Sequence, residues 1–176
     1  MLDAGLISVL TGTLQNTALN EKPFLDESLL AHCYRQGSET GLLDLHSIKR
    51  DVYATDGSLA GVKMGAGVYI TRSSRALYCR VGRSCKSRTS LRVETCASYL
   101  ALEHGKDNKA PIIILTDSAN HLLELDEWVG PGKYPTLHTS KDRDIVRGVL
   151  ELLNHRVSMG FPTFFVKVRA RRVSFQ

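Results

Sequence analysis

The stretch VYATDGS, residues 52–58, joins a run of residues typical of a β-strand to an acid, a glycine and a serine. A second stretch, PIIILTDS at residues 111–118, has the same form, since an apolar run is followed directly by an aspartate. A continuous apolar run of this length is typical of a strand that is covered on both faces. The two stretches therefore predict strands that carry Asp56 and Asp117 at their carboxyl ends.

The residues around these two strands predict an α/β layer with a mixed sheet. Short connections between strands at 52–55, 65–71 and 76–81 predict an antiparallel meander. A helix then begins near Thr89 or Ser90, which can cap it, and ends at Gly105. Because this helix is a crossover, strand 111–116 is expected to run parallel to strand 52–55. Two further helices, at about 118–127 and 142–157, and a last strand from 163 complete the predicted order.

This order brings carboxylates together at one edge of the sheet. Neighbouring parallel strands lie about 5 Å apart, so Asp56 and Asp117 repel each other unless a cation lies between them. Glu94, early in the crossover helix, can reach the same edge, and a set of oxygen ligands suits Mg²⁺ or Mn²⁺. Taken singly, an aspartate after a strand is more often a turn former or a helix cap, and a helical glutamate more often faces solvent. The conjunction of all three acids favours a metal site.

Residues 1–50 differ in character from the rest of the chain and predict a helical appendage. Leu6, Ile7, Leu10 and Leu14 recur at helical spacing. Asp26 can cap a second helix after Pro23. The predicted main domain therefore begins at Asp51 and runs to residue 176.

Positive charge is concentrated in two parts of a chain whose net charge is +5. Between residues 72 and 92 there is no acid, and the basic residues are Arg72, Arg75, Arg80, Arg83, Lys86, Arg88 and Arg92. The C-terminal segment adds Lys167, Arg169, Arg171 and Arg172. Either cluster alone is also typical of a solvated surface, but two clusters that flank a carboxylate site favour a nucleic-acid groove.

The cysteines and the apolar runs indicate the compartment. The four cysteines form no Cys-x-x-Cys pair, and without secretory context they are expected to be free thiols in a reducing environment. No apolar run approaches the roughly 20 residues needed to cross a bilayer, and the N-terminus does not read as a signal peptide. We therefore expect an intracellular protein, cytoplasmic or nuclear, with no membrane partner.

Four motifs together resemble the ribonuclease H family. They are TDGS at 55–58, GAGVYI at 65–70, TSLRVETCASYLAL at 89–102 and ILTDS at 114–118. The resemblance covers about residues 51–172, and the phrasing from residue 116 onward looks closest to ribonuclease H domains attached to retroelement reverse transcriptases. It implies a ribonuclease H-like three-layer α/β fold, with a mixed five-stranded sheet and helices on both faces.

The resemblance also implies a reaction: two Mg²⁺ or Mn²⁺ ions cut the RNA strand of an RNA–DNA hybrid. Carried onto this chain, Asp56 would bridge both ions, and Glu94 and Asp117 would each ligate one. Glu94 would also lie near the ribose 2′-OH, which distinguishes RNA from DNA. Residues expected at phosphate or sugar are Thr55, Ser58, Lys86, Arg88, Thr89, Ser90, Arg92 and Arg171, although the hydroxyl residues among them are individually more typical of turns and caps.

The chain departs from the family pattern at its end. The family has a His-containing loop after the last strand and a fourth acid on a C-terminal helix, whereas this sequence ends KVRARRVSFQ, with Arg171 about where the loop His is expected. The domain at 51–176 is thus expected to lack the final helix, and its second metal site to be weakened unless Asp142 or Asp144 substitutes. The leading interpretation is an RNA–DNA hybrid endonuclease. The alternative is an inactive ribonuclease H-like module that binds nucleic acid or a protein partner, and a larger polyprotein is a further context that the notion of an appended domain allows.

Overall fold

The computed structural model describes residues 7–14, for their backbone alone, together with residues 51–82, 89–128 and 141–168. Six strands form one sheet: β1 (Ile7–Leu14), β2 (Asp51–Ala60), β3 (Lys63–Ile70), β4 (Arg75–Arg80), β5 (Ile112–Thr116) and β6 (Thr163–Val168). Three helices accompany them: α1 (Ser90–Gly105), α2 (Ala119–Trp128) and α3 (Arg143–Ser158). Across the sheet the strands follow the order β1-β6-β5-β2-β3-β4.

The sheet is mixed, as the sequence predicts. β2, β3 and β4 form an antiparallel meander, and β5 runs parallel to both β2 and β6. The helix α1 is the crossover between the meander and β5. The predicted ribonuclease H-like α/β sheet of five strands is therefore confirmed as β2 to β6.

A sixth strand corrects the expectation of a helical N-terminal segment. Residues 7–14, ISVLTGTL, form β1, which pairs parallel to β6 with an irregularity between Leu10 and Leu14. The β-branched residues Ile7, Val9 and two threonines alternate along this stretch, and they favour extended backbone. The leucine spacing fitted a helix equally well, and pairing with β6 decides the outcome. The other residues predicted to form the appendage lie outside the described residues, and the boundary at residue 51 remains a prediction.

The core lies between the sheet and the helices. Tyr53, Ile114 and Phe165 stand in one row across β2, β5 and β6, and they pack with apolar side chains of α1, α2 and α3. Ile113 and Phe164, on the opposite face, are 1% exposed, so β5 is covered on both sides as its apolar run predicts. None of the described helices is long and apolar enough to span a membrane.

Arg156 joins the end of α3 to the segments that lead into β5 and β6. Its guanidinium is fully buried and donates to Thr163 Oγ1 and to the carbonyls of Gly105, Asn108, Ala110 and Pro162. Burial lowers its pKa to about 10. Because every nitrogen of the guanidinium has an acceptor, a charge without a carboxylate partner is tolerated in the core.

Candidate metal centre

Two aspartates occupy equivalent positions beyond the end of one strand pair. The pairing between β2 and β5 ends at Ala54 and Leu115, and Asp56 and Asp117 each follow two residues later. The Thr55 hydroxyl, 8% exposed, donates to the Leu115 carbonyl across 2.7 Å and so holds the two chain ends together. Strand register therefore places both carboxylates at one edge, as the sequence predicts.

The chain leaves β5 through a hydrogen-bonded turn that carries Asp117. The Ser118 N–H donates to Thr116 Oγ1 across 3.1 Å. Ser118 Oγ in turn accepts from the His121 N–H across 3.2 Å, which satisfies a free N–H of the first turn of α2. Short polar side chains thus fix Asp117 between a buried strand and a helix.

Gly57 allows the helix that carries Glu94 to lie directly on β2. A Cβ atom at position 57 would come within 2.6 Å of Val93 Cγ2 and within 2.9 Å of the Glu94 nitrogen. The start of α1 is fixed by Thr89, whose side chain accepts from the Arg92 N–H across 3.2 Å. Glycine is required here because of this close approach of backbone to backbone, and the contact sets Glu94 beside Asp56.

The three acids converge. Asp56, Glu94 and Asp117 each offer a carboxylate oxygen, and these oxygens lie within 4.8 Å of one another. Burial is the main cause that raises the pKa of Glu94 to about 7, and the negative charges of Asp117 and Asp56 add to it. A hydrogen bond from the Gly57 N–H acts in the opposite direction. Burial and Asp117 also raise the pKa of Asp56. Both shifts have the sign expected when like charges share a partly dry site.

The donor set fits a hard divalent cation. Glu94 is 8% exposed, and within the described part of the chain no donor reaches its buried Oε2 atom. A buried carboxylate oxygen without a partner is costly. Three carboxylates with only oxygen donors suit Mg²⁺ or Mn²⁺, so the residues present fit such an ion and a cation would satisfy Glu94.

Solvent reaches the cluster from the side of Asp56. Asp56 lines a groove of about 420 Å³ on the face of β2, β3 and β4 that the helices leave open. Gly65 and Gly67 line the same groove, as does Tyr78, whose side chain is 82% exposed. A ligand therefore approaches the acids over the meander, while Glu94 closes the site from the helix side.

The residues predicted to contact phosphate or sugar have different surroundings. Ser58, Thr89 and Ser90 are exposed near the acids, with Ser58 Oγ 3.5 Å from the Gly65 carbonyl. Thr55 is buried and its hydroxyl is engaged with Leu115, so it holds strands together and is not available to a ligand. Lys86, Arg88 and Arg171 lie outside the described residues.

Arg92 corrects a prediction from the sequence. Its side chain is 3% exposed and not on a surface that could contact phosphate. It donates to the Gly82 carbonyl at 2.8 Å, to Asp142 at 3.0 Å and to Asp144 at 2.8 and 2.9 Å. Asp142 and Asp144 therefore bind Arg92 and do not join the acid cluster, which rules out their proposed substitution for a fourth ligand.

His121, in the first turn of α2, is fully buried. Its Nε2 lies 2.7 Å from Ser98 Oγ and its Nδ1 3.4 Å from Thr95 Oγ1, both on α1. The ring packs edge-on against Phe165. His121 recurs with Leu125 at helical spacing, and that spacing was the sequence signal for burial. The contact fastens the helix after Asp117 to the helix that carries Glu94.

Comparisons with known proteins add one structural likeness. No protein-family profile matches the chain, and a search of curated proteins finds no match. Among solved structures, the chain is similar to ribonuclease H1 from the halophilic archaeon Halobacterium salinarum NRC-1. The identity is 20%, the TM-score is 0.48, and the match covers 70% of this chain and 87% of that one. The fold class itself follows from the strand order and register of this chain.

Proposed function

We propose that this chain contains a ribonuclease H-type endonuclease domain, which hydrolyses the RNA strand of RNA–DNA hybrids with Mg²⁺ or Mn²⁺. The observation that carries the proposal is the cluster of Asp56, Glu94 and Asp117, with carboxylate oxygens within 4.8 Å of one another. The finer assignment, to domains attached to retroelement reverse transcriptases, rests on the sequence resemblance and belongs to the same proposal.

The electrostatics of the cluster support a cation as its partner. Burial and mutual repulsion raise the pKa of Glu94 to about 7 and also raise that of Asp56. In this proposal Asp56 ligates two ions, and Glu94 and Asp117 ligate one each. Bound ions supply Lewis-acid stabilisation of the phosphate oxygens and a water of lowered pKa.

The side chains contribute position and selectivity. Gly57, against which the backbone of α1 packs, sets Glu94 beside Asp56. Asp56 faces the groove by which a strand of the hybrid enters. Glu94 lies next to the ribose 2′-OH in this proposal, which makes cleavage selective for RNA because DNA lacks that hydroxyl.

A second candidate is a non-catalytic ribonuclease H-like module that binds nucleic acid or protein. One observation favours it: among the described residues, only three carboxylates gather at the site. Asp142 and Asp144, the nearest substitutes in the sequence argument, are paired with Arg92. Both candidates allow the chain to bind a hybrid, but only the first cleaves it.

A cleavage assay separates them. A hybrid labelled on each strand in turn is incubated with protein in Mg²⁺, in Mn²⁺ and in EDTA. We expect metal-dependent cuts in the RNA strand alone, lost in Asp56→Asn. The matched control is Asp107→Asn, which removes an exposed acid paired with His155 and should cleave like the parent. Hybrid binding without cleavage in either metal supports the second candidate, and cleavage that persists in Asp56→Asn assigns the activity to another site or a contaminant.

A further inference from the structure

Two cysteines that the metal centre does not use are in contact. Cys79 lies on β4 and Cys96 on α1, and their Sγ atoms are 3.6 Å apart. Both are free thiols and partly buried. They pack beside the apolar cluster of Met64, Val93 and neighbouring residues, where α1 covers the meander. Seventeen positions separate the two cysteines in the chain, so the fold itself brings them together.

The two sulfurs have a short distance to close before a disulfide can form. The S–S bond is about 2.05 Å long, so the two sulfurs must approach by roughly 1.5 Å, less than 1 Å each. Rotation about the Cα–Cβ bonds moves a sulfur by that amount without unfolding either element. The pairing therefore requires a side-chain adjustment and not a rearrangement of strand and helix.

We propose that Cys79 and Cys96 form a thiol–disulfide site, at which a low-molecular-weight disulfide oxidises the pair to an intramolecular disulfide that fastens α1 to β4. One thiolate attacks the oxidant, breaks its S–S bond and releases one thiol. The second thiolate attacks the protein sulfur of the mixed disulfide and releases the other thiol. The two protons of the cysteine thiols end on the two released thiolates, so none is lost to solvent overall, and the pair loses the two electrons that the oxidant gains.

The link acts on the helix that carries Glu94. Cys96 lies two residues after Glu94 on α1, so the disulfide ties this part of the helix to the sheet. The enclosed segment includes Lys86 and Arg88. A cross-link that closes a loop of this size removes many conformations from the unfolded chain and stabilises the fold. Burial and the nearby Cys79 raise the pKa of Cys96 to about 12, which slows the oxidation and leaves its end point unchanged.

The test measures an equilibrium and needs no nucleic acid. A Cys33→Ser/Cys85→Ser variant leaves only this pair. It is equilibrated in mixtures of oxidised and reduced glutathione, once folded and once in urea, and the disulfide is quantified by mass after alkylation. We expect the folded protein to form the bond at a ratio of oxidant to reductant at least tenfold lower than the unfolded chain does. By linkage, the same factor raises the folding equilibrium constant of the oxidised form, and its Tm rises by several degrees.

Two further variants make the outcome decisive. In the same background, Cys79→Ser and Cys96→Ser should stop at a glutathione adduct and show no rise in Tm. If the folded pair needs as much oxidant as the unfolded pair, or if peptide mapping finds glutathione on each sulfur and no Cys79–Cys96 link, the proposal is wrong. If circular dichroism shows that the Cys33→Ser/Cys85→Ser variant is unfolded, the same glutathione titration is run on the four-cysteine parent. Peptide mapping then quantifies the Cys79–Cys96 disulfide, and its midpoint is compared between the folded and the urea-unfolded protein. Loss of hybrid cleavage would bear on the nuclease proposal and leave this result untouched.

Discussion

The raised pKa of Glu94 makes the stability of the folded chain depend on pH. Its pKa rises from 4.5 to about 7 in the folded chain. Between these two values the folded state holds a proton that the unfolded state has lost, so stability falls as pH rises through this window. The full penalty applies above pH 7, and at 1.36 kcal/mol per unit it amounts to at most about 3 kcal/mol.

Replacing Glu94 by Gln should therefore flatten the pH dependence of stability in the absence of metal. We expect urea unfolding in EDTA to show the parent losing up to about 3 kcal/mol relative to Glu94→Gln between pH 4.5 and 8. In the proposed metal site a cation binds the ionised cluster, so Mg²⁺ at pH 8 should restore the parent and leave the variant nearly unchanged. Parallel curves for the two proteins in EDTA would mean that Glu94 ionises normally in the fold.

At Gly57, an added methyl group would prevent α1 from packing as closely on β2. In Gly57→Ala the new Cβ would lie 2.6 to 2.9 Å from Val93 and the Glu94 backbone, so α1 must shift. Overpacking of this kind costs roughly 1–3 kcal/mol, and metal affinity should fall because Glu94 moves with α1. Unfolding and calorimetric Mg²⁺ titration measure both effects. Gly82→Ala, where no atom of the described residues lies near the new Cβ, is the control and should stay within about 0.5 kcal/mol of the parent.

At the scale of elements, Arg92 connects the first turn of α1 to the start of α3. Its partner Asp142 has an 8% exposed side chain, while that of Asp144 is 57% exposed. Arg92 holds the pKa of Asp144 below its usual range. The carboxylate–guanidinium cluster therefore fixes α3 against the helix that carries Glu94.

Removal of the Arg92 side chain should destabilise the fold much more than removal of the charge of Asp144. Arg92→Ala removes the guanidinium that lies 3.0 Å from the buried Asp142 carboxylate, and breaking a buried pair in this way costs about 3–5 kcal/mol. Asp144→Asn should cost less, because Arg92 keeps Asp142 and the Gly82 carbonyl and the Asp144 side chain is largely solvated. Urea unfolding gives the order. If Asp144→Asn proves as destabilising as Arg92→Ala, the shared cluster does not carry the contact between α1 and α3.

Elements were easier to predict from the sequence than the direction in which side chains face. The strands of the core were predictable because the run at 112–115 is apolar throughout and an aspartate follows it directly. The same short-range signals failed for β1, because its leucine spacing fits both a helix and a strand. Its pairing with β6, which the local sequence does not reveal, determines that it is a strand. Arg92 could not be assigned to the interior, because its partners lie 50 and 52 positions away. The acids were predictable as a set because strand order alone brings them to one edge.

At the scale of the whole molecule, the proposed function requires basic residues that contact the hybrid. The net charge is +5, and attraction of Lys and Arg to phosphates releases counterions, so affinity should fall steeply with salt. With Arg92 buried, the basic residues still predicted to contact phosphate near the acids are Lys86 and Arg88. In the sequence they follow Cys79 and precede Thr89, the cap of the helix that carries Glu94.

Substitution of Lys86 and Arg88 by Ala should weaken binding to all hybrids about equally and reduce the salt slope by roughly one unit per lost contact. The matched control is Lys106→Ala/Lys109→Ala, which also lowers the net charge by two but acts at the far end of α1, about 24 Å along a helix of 16 residues. Anisotropy titrations in EDTA at several salt concentrations measure both slopes. Base sequence should matter little, since phosphate contacts position a nucleic acid without reading it. Equal slopes in the two double variants would show that net charge alone attracts the hybrid. The prediction that Lys86 and Arg88 contact phosphates near the acid cluster would then be wrong.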